Sequence, residues 1–139
     1  VRPPRKLPPP ESGLYVVIVC GGRDFTDRAK VYSVLDGAHR SIGVVVQGGA
    51  RGADRFARQW CESRGVTCVE VPALWDAHGR SAGSRRNGEM LVVADALRIL
   101  WPDSMGLGVL AFPGGPGTAN MISRAREAGI DVKEVPRGL

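Results

Sequence analysis

Pro113, Gly114, Gly115, Gly117 and Thr118 belong to the stretch AFPGGPGT, set between an apolar run at residues 107–112 and a helix-like segment at residues 119–128. A strand that breaks into glycines and restarts as a helix leaves backbone N–H groups aimed at one spot. That spot carries the positive end of the helix dipole, so it suits a phosphate or a carboxylate. Thr118 can cap the helix or donate its hydroxyl to the same anion. Such a turn also occurs without any ligand, and one loop alone does not decide between the two.

Two more turns of the same kind follow apolar runs. Gly21, Gly22, Arg23 and Asp24 offer bare amides, a guanidinium and a carboxylate. Gly48, Gly49, Ala50, Arg51, Gly52, Ala53 and Asp54 repeat that chemistry. Glycine lets the backbone approach a ligand closely, and arginine adds a planar fork matched to phosphate oxygens. Asp24 and Asp54 either hold those arginines, accept ribose hydroxyls, or only stabilise a nearby helix start. Arg86 and Asn87 open a further helix, where basic residues oppose the dipole. That conflict favours a ligand-facing role over a solvated turn. Trp75 can stack on a base or cover the core edge; Trp60 and Trp101 are assigned to packing.

The elements that must position these residues alternate regularly. Residues 14–20 (LYVVIVC), 43–47, 66–71, 108–112 and 130–135 read as strands. Helices are expected from Thr26 or Asp27 to about residue 40, at 53–64 with Gly65 as its stop, at 85–100 ended by Trp101-Pro102-Asp103, and at 118–128. Residues 73–84 (ALWDAHGRSAGS) are expected to be irregular, a loop long enough to suggest function. The order predicts an α/β, Rossmann-like three-layer sandwich with a mostly parallel sheet of about five strands and flanking helices. In such sheets ligands sit beyond the strand carboxyl ends, and all three glycine turns fall there.

The chain has 139 residues and fits one domain at 13–139, after a proline-rich tail at 1–12 read as lying outside the fold. Its net charge is +5, of which Arg2, Arg5 and Lys6 against Glu11 give the tail +2 and leave +3. That is a weak footprint for nucleic acid and is equally compatible with a small anion or a solvated surface. Three cysteines without CxxC spacing and two scattered histidines give no disulfide framework and no metal site. Cys20 and Cys68 read as buried thiols, and a cytoplasmic setting is expected. No run is long enough to cross a bilayer, so no membrane partner is expected, and the basic start lacks the apolar stretch of a secretion signal.

GGRDFTD, QGGARGADRFA, AGSRRNGEM and AFPGGPGTANM, in that order, resemble the SLOG (SMF/DprA–LOG) superfamily, specifically its small stand-alone YspA/YpsA-like branch. The resemblance runs from about Tyr15 to the end. It implies a Rossmann-like domain that senses or sequesters a nucleotide or nucleotide-derived ligand through these turns, with no cofactor required. It also implies a homo-oligomer. Two alternatives come with it. LOG-type phosphoribohydrolases carry PGGxGTxxE, whose glutamate serves N-glycosidic cleavage; that place is Met121 here, which cannot exchange a proton, and Glu89, after Arg86-Asn87, could in principle substitute, though helix spacing alone does not place it. DprA-like members bind single-stranded DNA, and GGARGAD and RRN resemble their motifs, although few aromatics are present to stack on bases.

Overall fold

The structure, a computed structural model, describes residues 7, 9–100 and 104–137. Five strands form one wholly parallel sheet: β1 (Tyr15–Cys20), β2 (Ile42–Gln47), β3 (Thr67–Glu70), β4 (Gly106–Ala111) and β5 (Asp131–Glu134), in the order β3-β2-β1-β4-β5. Helices α1 (Arg28–Ala38), α2 (Ala53–Arg64), α3 (Trp75–His78), α4 (Ala82–Leu100) and α5 (Pro116–Glu127) join them. This is the Rossmann-like α/β sandwich that the alternation predicts.

Strand alternation explains how the core divides. Val16, Ile18 and Cys20 of β1 pack into one layer with Met90 and Ala94 of α4 and Met121 and Ala125 of α5. Val17 and Val19 face the other way, against Val31 and Leu35 of α1 and Ala57 and Trp60 of α2. Both faces of β1 are therefore buried, which is why its sequence is a continuous β-branched run. Asp27 rather than Thr26 caps α1, accepting from the Lys30 amide at 3.0 Å. Gly65 ends α2 in the left-handed conformation, φ +69°.

Several expectations are corrected. Residues 73–84 are not irregular: Leu74 O accepts from the Ala77 and His78 amides at 3.1 and 2.9 Å, closing α3, and a 3₁₀ turn at Gly79–Ser81 runs into α4. No proline interrupts that stretch, so nothing prevents local helical closure. Helix α4 consequently starts at Ala82, three residues early, and Arg85 and Arg86 sit deeper in it than the dipole argument assumed. Strand β4 starts at Gly106, paired with Tyr15, because its register with β1 runs for six residue pairs. The expected break at Trp101-Pro102-Asp103 and most of the proline-rich tail lie outside the described residues. Leu7, within that tail, packs against the α4–α5 layer, and Ser12 Oγ donates to Ser104 O at 3.2 Å.

The chain steps outward from β1 through β2 to β3, then returns to β4 on β1's other side. A crevice at the carboxyl ends of β1 and β4 is the geometric result.

Candidate functional site

That crevice encloses about 910 Å³. Gly21, Gly22, Arg23 and Asp24 line it from the first turn, and Pro113, Gly114, Gly115, Gly117 and Thr118 from the third. The two turns lean on each other: the Gly22 amide donates to Pro113 O at 2.9 Å. A methyl group on Gly21 would lie 2.6 Å from Ala53 Cβ, and one on Gly114 would lie 2.6 Å from Gly22 N and run into the Thr118 hydroxyl. Glycine is required there by close approach, not by loop flexibility.

Helix α5 begins at Pro116, and its N-cap, Gly115, supplies no side-chain cap. The first-turn amides of Gly117 and Thr118 have no intrahelical acceptors, and both residues line the crevice. Thr118 is the third helical residue, so it does not cap α5. Of its two expected roles, only a hydroxyl offered to the crevice is compatible with its place.

The second turn behaves differently. Gly48, Gly49, Arg51 and Gly52 are not among the lining residues; Ala50 and Asp54 are. The turn's amides are consumed internally. Asp54 Oδ2 accepts from the Gly48 and Ala50 amides at 3.1 and 3.2 Å, and Gln47 Oε1 accepts from Gly49 at 2.6 Å. Arg51 is exposed and Gly52 is buried against the carbonyl of Gly22. Positive φ at Gly49 and Gly52 turns the backbone so that the aspartate, not the arginine, reaches inward.

Arg86 and Asn87 stitch the turns together. Arg86 Nη1 donates to Gly48 O at 2.7 Å, and its Nε donates to Asn87 Oδ1 at 3.2 Å. Asn87, 4% exposed, donates through Nδ2 to Gly117 O at 3.0 Å and to Asn120 Oδ1 at 3.1 Å. Both residues line the crevice while fixing its walls.

Arg23, Arg80, Arg86 and Arg137 reach the crevice against two acids, Asp24 and Asp54, so its field favours an anion. The Arg23 guanidinium also lies 5.1 Å from the centre of the Trp75 ring, which is 48% exposed at the rim. Arg80 and Ser84 come from the segment read as a loop; its length was the signal for Arg80, and Ser84 also stands in the AGSRRNGEM motif. Arg137 lies three residues past the end of β5 and had no motif to mark it.

Burial dominates the local ionisation. It pushes the Cys20 thiol up to about 12, leaving it inert as a nucleophile. It pushes the Asp54 carboxyl up to about 6, against the pull of the Ala50 amide, Arg86 and the Gly48 amide. Folded Asp54 thus holds its proton more tightly than an unfolded aspartate near 3.9. Its contribution to folding is fully present below pH 4 and is lost as pH rises through 6. Urea unfolding of wild type and Asp54→Asn at pH 4 and 7 is expected to show the difference between them shifting by about 2 kcal/mol against wild type at the higher pH. A pH-independent difference counts against a buried, titrating Asp54.

Comparisons with known proteins fit this architecture. A model of the YspA, cpYpsA-related SLOG family matches residues 15–78, from β1 through the second turn to α3. The Gene 61 protein of Mycobacterium phage D29 is 38% identical over 124 residues, covering 84% of this chain and 92% of that protein. No solved structure matches the chain.

Proposed function

The chain belongs to the YspA, cpYpsA-related SLOG family, and from that premise we propose that it binds a nucleotide or nucleotide-derived ligand, as a sensor or sequestering module. One observation carries the reading: an uncapped helix N-terminus opens on a crevice that four arginines reach. The α5 amides receive a phosphate, Arg23, Arg80 and Arg137 neutralise it, and the exposed ring of Trp75 offers a base a stacking face. Arg86 and Asn87 hold the walls.

The place of the LOG glutamate offers the glycosidase alternative no acid. Met121, at the place of the LOG glutamate, is fully buried in the α4–α5 layer and does not line the crevice. The test is thermal unfolding with nucleoside mono-, di- and triphosphates and dinucleotides, together with mass spectrometry of whatever co-purifies. A ligand at a hundredfold excess over its Kd is expected to add about 2.7 kcal/mol of stability. A panel without effect, and protein that carries no phosphate-bearing small molecule, would reject the proposal; release of free base would move it to the glycosidase.

A further inference from the structure

Cys61 and Cys68 meet where α2 gives way to β3, away from the crevice. The Val66 amide donates to Cys61 O at 3.0 Å, so the chain doubles back directly after Gly65. Strand β3 then pairs Cys68 with Val45 of β2, and the Cys68 side chain packs on the layer that holds Cys61. The two thiols are hydrogen-bonded to each other. Their surroundings are unequal. Cys61 is 1% exposed, whereas Cys68, expected from the sequence to be a buried thiol, is only half-buried, on a strand at the edge of the sheet.

The polar neighbours mark Cys68 as the sulfur that carries charge. Gln47 Nε2 donates to Cys68 Sγ at 3.8 Å. The Gln47 amide is fixed for that contact: its Oε1 accepts from the Gly49 amide at 2.6 Å, and its Nε2 also donates to Glu70 Oε1 at 3.1 Å. The hydrogen bond from the Cys61 thiol does most to draw Cys68 down to about 7; Gln47 and Arg58 act in the same direction, against burial and Glu70. Cys61, as that donor and through its own burial, keeps its proton. A half-exposed thiolate with a second thiol against it has the makings of a sulfur nucleophile and the group that resolves it.

We propose that Cys68 and Cys61 are an oxidisable pair, which a hydroperoxide converts into an intramolecular disulfide tying α2 to β3. The Cys68 thiolate attacks one peroxide oxygen and the O–O bond breaks. The other oxygen of hydrogen peroxide leaves as hydroxide and takes up the proton that Cys68 has released, giving water and a Cys68 sulfenic acid. Cys61 sulfur then attacks Cys68 sulfur: the S–S bond forms, the S–O bond breaks, and the departing hydroxide leaves as water with the Cys61 proton. Two thiols are oxidised to one disulfide, and the peroxide is reduced to two waters. Cys20, buried and inert, takes no part.

Intact-mass spectrometry of the full chain during titration with hydrogen peroxide, followed by peptide mapping, tests this. Wild type is expected to lose two hydrogens, retain a free Cys20, and yield a peptide joining Cys61 to Cys68 that dithiothreitol separates. Cys61→Ala is expected to stop at one added oxygen on Cys68, trapped by dimedone, and Cys68→Ser to react about tenfold more slowly or less. A wild type that gains oxygen without losing hydrogens, links Cys68 only to a second chain, or reacts first at Cys20 overturns the proposal. So does a folded Cys61→Ala protein without a dimedone adduct on Cys68. Should the variants not fold, the wild-type peptide map alone decides.

Discussion

Gly115→Asp is expected to make the protein more stable and to abolish anion binding at the same time. Gly115 is the N-cap of α5, with φ −103° and ψ −146°, so no left-handed backbone demands glycine there. Nothing lies within 4 Å of a Cβ built there, so the aspartate fits without displacing its surroundings. Its carboxylate would accept from the first-turn amides and meet the dipole favourably, adding about 0.5–1 kcal/mol. It would also occupy the anion seat with a fixed negative charge. The expected result is a Tm raised by a few degrees and ligand affinity reduced a hundredfold or more, read by thermal unfolding and calorimetry. A stabilised variant that still binds nucleotide normally would show that the ligand does not use α5.

Gly52→Ala tests the scaffold rather than the seat. Gly52 has φ +80° and ψ −130°, a region that residues with a Cβ scarcely enter. A Cβ there would also collide with the Gly22 carbonyl and lie 3.0 Å from Arg23 O. Both obstacles are backbone and cannot swing aside. A loss of about 3 kcal/mol or more is expected in urea unfolding. Gly65→Ala is the control: φ is +69° but nothing lies within 4 Å, so strain alone acts and about 1 kcal/mol is expected. Equal losses at the two positions would mean that the first and second turns are not pressed together as the structure has them.

The fold was legible because its signals are local and redundant. Residues 14–20 are apolar on both faces of β1, and Gly65 marks the end of α2 by a conformation few other residues adopt. The grouping of the first and third turns in one crevice followed from strand carboxyl ends in a parallel sheet. The second turn resisted the same reasoning. Composition placed Arg51 and the Gly48 and Gly49 amides toward the ligand, yet which atoms of a glycine turn point inward depends on φ at Gly49 and Gly52. Sequence does not fix those angles. Nor does it reveal that Gln47 and Asp54, each a few residues away, take up the amides first. Arg137 was invisible for another reason: its place in the crevice comes from the position of β5 beside β4, a long-range property without a motif.

The order of strands has a temporal consequence. Strand β4 inserts beside β1 at the centre of the sheet, pairing Gly106–Ala111 with Tyr15–Cys20, a segment made long before it. Pro113 to Thr118, which give one wall of the crevice, follow it in sequence. A ribosome-bound chain that has emerged only through α4 has its first two turns and both acids but no phosphate seat. Any engagement of a ligand by that wall thus waits until α5 has been made, so the folded domain, not a folding intermediate, is the species able to respond to it.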